Sequence, residues 1–140
     1  MGRITRRANL DQLDVFQEFI SAAAAPVLSP ERIGQMQLAV EEALVNIFNY
    51  AYGENGAGEV TAICDMDADG RFRVRFRDQG VAFDMLAADD PDTTLSVDDR
   101  AVGGLGIFFI KEMVDEVFYR RAGEVNELTF IFLPRPEDTP

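Results

Sequence analysis

Residues 71 to 77 read RFRVRFR, and this strict alternation constrains the fold more than any other stretch of the chain. Successive side chains of a strand point to opposite faces, so Phe72, Val74 and Phe76 make an apolar face while Arg71, Arg73, Arg75 and Arg77 stand in water. A sheet with one wet face carries its helices on the other side only, which predicts a two-layer α/β sandwich. The arginine row reads as a patch for an anionic ligand or as partners for Asp and Glu on neighbouring strands. In a chain of net charge -12 the second reading is expected. Parity then places Asp78 on the face of Phe72, Val74 and Phe76, so the strand delivers a carboxylate to the helix-covered side where it ends. A buried carboxylate is costly unless something hydrogen-bonds to it, and Gly80, two residues on, permits close approach of backbone or ligand. A structural Asp that caps a turn would satisfy the same pattern.

The strand belongs to a hairpin: Glu59 to Asp65 forms its first arm, and Asp67-Ala68-Asp69-Gly70 has turn chemistry. Upstream, residues 3 to 8 read as a short edge strand around Ile4. Asn9 or Asp11 then opens a helix that presents Leu13, Phe16, Ile20 and Ala24 on one face and stops at Pro26. A long central helix spans Ser29 to Tyr52, with Ser29 as N-cap, Pro30 as first residue and Gly53 as stop. Ile33, Met36, Val40, Leu44, Ile47 and Ala51 make its apolar stripe, while Gln35, Glu42, Asn46 and Asn49 make a polar one. Glu42 and Asn46 stand one turn apart. A carboxylate beside a carboxamide supplies a base and a neutral oxygen ligand for a hard cation such as Mg²⁺, although a solvated helix face can carry the same pair.

Three segments in order share a pattern: Glu42-Ala43-Leu44-Val45-Asn46, Asp78-Gln79-Gly80-Val81-Ala82-Phe83-Asp84, and Val102-Gly103-Gly104-Leu105-Gly106-Ile107. Together they resemble the N, G1 and G2 boxes of the GHKL ATPase superfamily, which contains gyrase, histidine kinases and the anti-sigma-factor serine kinases. The similarity is greatest to the last group and covers about residues 3 to 133. It implies the Bergerat-type ATP-binding fold with a mixed, mainly antiparallel sheet, and ATP with Mg²⁺ as cofactors. It also implies Glu42 as catalytic base, Asn46 as metal ligand and Asp78 as acceptor of the adenine amino group. Gly80, Ala82, Phe83, Gly103, Gly104, Leu105 and Gly106 are then cofactor-binding, the glycines of the third segment offering backbone amides and a helix start to phosphate.

The resemblance has departures. Ala82 replaces a glycine common in the G1 box, which implies tighter adenine-pocket walls, and Tyr50 stands where the anti-sigma kinases often carry His. The chain has no histidine, which excludes histidine autophosphorylation. The acidic stretch from Met85 to Val102 occupies the place of the family's mobile ATP lid, with Arg100, its one basic residue, as a γ-phosphate contact about two positions from the expected alignment. A helix follows from Gly103 through Val114 with Ile107, Ile110 and Val114 facing the core, then strands over Glu116 to Arg121 and Glu127 to Leu133. Thr129 matches the last-strand threonine that joins the aspartate at the adenine. Parity leaves it undecided, because Leu128, Phe130 and Phe132 on one face and Ile131 and Leu133 on the other are all apolar.

Residues 1 to 133 are expected to be a single domain, and 134 to 140 a flexible tail. One cysteine, Cys64, fits a reducing compartment. Absence of an apolar run after the basic residues Arg3 to Arg7, and of any ~20-residue apolar span, points to a soluble, cytoplasmic protein away from membranes. The acidic balance argues against nucleic acid and allows a basic protein partner. The resemblance implies a sigma factor and an anti-anti-sigma (STAS-type) protein as partners and, together with the weak edge near Ile4, a homodimer. A serine/threonine kinase acting on that anti-anti-sigma partner is the leading expectation. An ATP-gated binding module without catalysis, and a domain that binds no nucleotide, are the alternatives.

Overall fold

A computed structural model describes residues 2–52, 58–87 and 104–138. Its strands are β1 (Gly2–Arg7), β2 (Glu59–Met66), β3 (Phe72–Asp78), β4 (Glu116–Ala122) and β5 (Val125–Phe132). Its α-helices are α1 (Leu13–Ala24), α2 (Pro30–Tyr50) and α3 (Gly104–Met113). The sheet order is β1-β2-β3-β5-β4, and each of these pairings is antiparallel, so the expected mixed sheet has no parallel ladder among the described residues. Local chemistry explains the boundaries. Asn9 caps a 3-10 turn ahead of α1, and Ser29 accepts from Arg32 N with Pro30 in the first turn of α2. Asp67 Oδ1 accepts from the Asp69 and Arg71 amides, and Gly70 turns at φ 78°, which closes the β2–β3 hairpin.

β3 alternates buried and half-buried along its whole length, as its sequence dictates. Phe72, Val74 and Phe76 pair across to Phe132, Phe130 and Leu128 of β5, and this apolar face is covered by Phe16 and Ile20 of α1, Met36, Val40 and Leu44 of α2, and Ile110 of α3. Burying each such side chain contributes roughly 1.5–3 kcal/mol, so the sheet and its helices form together or not at all. On the wet face the arginines are paired: Arg73 and Arg75 with Asp65, Arg77 with Glu127, and Arg71 with Asp67 and Glu116. The partner reading of the row therefore holds.

The C-terminal segment corrects an expectation. Through residue 138 it is docked and not a flexible tail: Pro136–Asp138 forms a 3-10 turn, and the Asp138 carboxylate accepts from the Ser29 and Arg135 amides and from Arg32. Arg32 is 4% exposed, held also by Asp115 and the Leu133 carbonyl. A buried guanidinium needs such a set of acceptors, and the tail completes it. Burial works to raise the Asp138 carboxyl, but the two amides and Arg32 outweigh it and hold it below its ordinary value of 3.8.

Candidate functional site

The polar stripe of α2 points Asn46 inward, where it is 6% exposed. Its Nδ2 donates to the Glu42 carbonyl at 2.8 Å, which fixes the amide and leaves Oδ1 as an acceptor. Glu42 is half-buried and Glu41 exposed, the difference that 100° around a helix makes. One turn beyond Asn46, α2 ends against the end of β3. The Ala51 carbonyl accepts from Val81 N at 2.7 Å, and Gly80 is so close that a Cβ there would lie 2.1 Å from the same oxygen. Along the helix axis Asn46 and Ala51 are separated by about 7.5 Å, the rise of five residues.

Asp78 lies at the base of this junction, 6% exposed, on the helix-covered face that parity assigned to it. Its Oδ1 accepts from Gly80 N and from Asn126 Nδ2, both at 2.9 Å. Around it Ile47, Ala51, Phe83, Met85 and Leu128 form an apolar wall, completed by Tyr119 and Asn126. Phe83 is 39% exposed and stacks on Tyr50 with ring centroids 5.3 Å apart, while Ala82 is exposed beside it. Tyr52 ties the rim together, its hydroxyl donating to Glu59 O at 2.6 Å and accepting from Gln79 N at 2.8 Å. Burial, ahead of the other influences on it, raises the Tyr52 hydroxyl above its ordinary 10.0.

Thr129 is a correction. In the β3–β5 register it sits opposite Arg75, on the wet face, whereas Asp78 is opposite Asn126. The threonine therefore cannot join the aspartate; the sheet lies between them. Asn126 occupies that place instead, and the sequence reading missed it because β5 starts at Val125, two residues earlier than expected. Once the β3–β5 register fixes which face is inward, Asn126 falls on the even-numbered face with Leu128 and Phe130, a polar residue at a core position.

Gly104, Leu105 and Gly106 open α3, whose Ile107 and Ile110 are buried as expected, as is Val114 just past its end. Of the Met85 to Val102 stretch expected as a lid, Met85–Ala87 forms a 3-10 turn, whereas residues 88 to 102, Arg100 among them, lie outside the described residues, as does Gly103. No three His, Cys, Asp or Glu side chains gather as a metal site among the described residues. The donor set still fits Mg²⁺ bound with a nucleotide, because that ion keeps waters and phosphate oxygens in most positions and takes one or two oxygens from protein. No described helix is long and apolar enough to cross a membrane.

Comparison with known proteins bears on the family and the fold. Residues 7–132 match the model of the histidine kinase-like ATPase domain. The chain is 31% identical over 100 residues to the serine-protein kinase RsbW of Staphylococcus epidermidis, covering 68% of this chain and 63% of that protein. It is 33% identical over 110 residues to RsbW of Bacillus pumilus, covering 75% and 68%. The crystal structure of the RsbU and RsbW domains of a Mycobacterium tuberculosis protein superposes with TM-score 0.64 at 13% identity, over 97% of this chain and 34% of that one. The histidine kinase domain of a blue-light activated kinase from Erythrobacter litoralis follows at 0.55 and 18%, over 78% and 48%. At such identities the two structures speak for the fold alone. From the match over nearly its whole length, the chain belongs to the histidine kinase-like ATPase domain family, in the group that includes the RsbW kinases.

Proposed function

We propose that this chain is an ATP-dependent serine/threonine protein kinase that acts as an anti-sigma regulatory factor, transferring the γ-phosphoryl group of Mg-ATP to a serine of an anti-anti-sigma (STAS-type) partner and binding a sigma factor. The observation that carries the reading is the turn of α2 in which Asn46 has its amide committed to the Glu42 carbonyl and its oxygen left as an acceptor. On this reading adenine enters the apolar pocket with its amino group toward Asp78, flanked by Gly80, Ala82 and Phe83. The phosphates extend toward Asn46 and the start of α3, where amides of Gly104 to Gly106 favour their charge. Asn46 Oδ1 would hold Mg²⁺, which when bound neutralises charge on the phosphate oxygens.

Glu42, one turn away, orients the serine hydroxyl and takes its proton. The serine Oγ–phosphorus bond forms as the bond from phosphorus to the β,γ-bridging oxygen breaks, and that electron pair leaves with ADP. Support comes from the family match and from the RsbW relatives, of which the first aligns over 63% of its length. Arg100 and Gly103 complete the phosphate contacts on the same reading. The lone cysteine, Cys64, fits a cytoplasmic setting. The exposed edge strand β1 fits a homodimer, for which light scattering should give twice the chain mass.

Radiolabelled phosphoryl transfer to a cognate anti-anti-sigma protein tests the proposal. Glu42→Gln keeps the shape and removes the base, so Mg-ATP should still bind while transfer falls ~10²–10⁴-fold. Glu41→Gln, on the exposed side of the helix, should change transfer little. Equal loss in both variants sinks the assignment of Glu42. If the parent never transfers phosphate yet ATP alters partner binding, the chain is a gated binding module.

A further inference from the structure

Asn126 uses every hydrogen-bonding position it has. Its Nδ2 donates to Asp78 Oδ1 at 2.9 Å and to the Val81 carbonyl at 2.8 Å. Its Oδ1 accepts from the Tyr119 hydroxyl and from Arg121 NH1, the latter at 3.2 Å. The amide has only one orientation that fits, because a carboxylate and a carbonyl can only accept and a guanidinium can only donate. Arg121 NH1 also donates to Gly80 O at 2.8 Å, so the clamp reaches both sides of the turn that follows Asp78. These residues are neighbours by register: Asn126 on β5 is opposite Asp78 on β3 and opposite Arg121 on β4, and Tyr119 is opposite Leu128 in the pocket wall.

The consequence falls on Asp78. Its Oδ1 is taken by Gly80 N and Asn126, whereas Oδ2 has no hydrogen-bond partner among the described residues. With Tyr119 and Asn126 bonded to each other, the polar groups of the pocket reduce to one oriented carboxylate oxygen in apolar surroundings. We propose that Asn126, clamped by Tyr119 and Arg121, is the positioning residue that fixes the Asp78 carboxylate and so sets selectivity for a purine carrying an amino donor at C6. This rests on the nucleotide reading above and deepens it. A carboxylate free to turn about its side-chain torsions would spend much of its time aimed elsewhere, and the donor of the base would gain correspondingly less.

The test is isothermal titration with two ligands, Mg-ATP and the Mg complex of purine riboside triphosphate, which lacks only the 6-amino group. The parent should prefer ATP by about 10-fold or more, the value of a hydrogen bond to a charged group. In Asn126→Ala the preference should shrink to about 3-fold or less while affinity for the amine-free nucleotide stays close to parental, a pattern that general loss of structure would not give. Tyr119→Phe should give an intermediate preference, because it removes one restraint on the Asn126 amide. An undiminished preference in Asn126→Ala overturns the inference. If that variant does not fold, an undiminished preference in Tyr119→Phe overturns it. A parent that binds neither nucleotide refutes the nucleotide reading itself, whereas a parent that binds ATP with variants of equal selectivity refutes only the role of Asn126.

Discussion

Replacing Gly80 by alanine isolates the contact that joins the end of α2 to the end of β3. The new Cβ would lie 2.1 Å from the Ala51 carbonyl oxygen and 2.5 Å from its carbon, both backbone atoms at the last turn of α2. Ordinary contact begins near 3.4 Å, so one backbone segment must retreat by more than 1 Å. That movement breaks the 2.7 Å bond from Val81 N to the same oxygen. Overpacking of a tight site costs about 1–3 kcal/mol, and a buried amide and carbonyl left apart add about 1 kcal/mol. The sum, ~2–4 kcal/mol, should lower the melting temperature by roughly 6–15 °C for a domain of this size. Gly34→Ala is the matched control. No atom lies within 4 Å of its added Cβ, and its position in α2 is exposed, so the same chemical change should stabilise by ~0.5–1 kcal/mol. Circular dichroism melts of both variants, repeated in urea, supply the numbers. Equal shifts in the two variants, or a Gly80→Ala melt within about 1 °C of the parent, would refute the steric argument. Because Gly80 N also holds Asp78 Oδ1, Mg-ATP affinity should fall in Gly80→Ala and stay parental in Gly34→Ala.

Two further outcomes are expected. Asp138 has its carboxyl lowered from 3.8, so its contribution to stability is fully present above that ordinary value and is lost as pH falls through the lower folded value. Melts between pH 5 and the most acidic pH at which the chain stays folded should show a loss below about pH 4 that shrinks in Asp138→Asn, and a profile identical in both proteins would count against the docked tail. Cys64 is 1% exposed, and burial pushes its thiol up to about 12, so a neutral thiol reagent should label it only after unfolding and at a rate that tracks urea concentration. Rapid labelling of the native protein would contradict the packing of β2.

Much of the molecule could be read from residue order. The RFRVRFR strand needed only side-chain alternation to place its own faces and the inward direction of Asp78. The 3.6-residue period of α2 likewise set Glu42 beside Asn46 and turned Glu41 about 100° away from Glu42. Both are short-range consequences of backbone geometry and survive in any fold that uses the elements. What tertiary structure decided was register and closure. β5 is apolar on both faces because Ile131, beside Arg73 on the arginine side, is still 4% exposed, so parity could not say whether Thr129 or Asn126 meets Asp78. Only the pairing of β3 with β5 resolves it, and that pairing is fixed by the total burial of the sheet. The C-terminal segment is the same lesson at longer range. Arg32 interrupts an apolar helix face, yet it is buried because Asp115 and Asp138, 83 and 106 residues away, reach it together. A charge can leave water only where such partners converge, and convergence is a property of the folded chain.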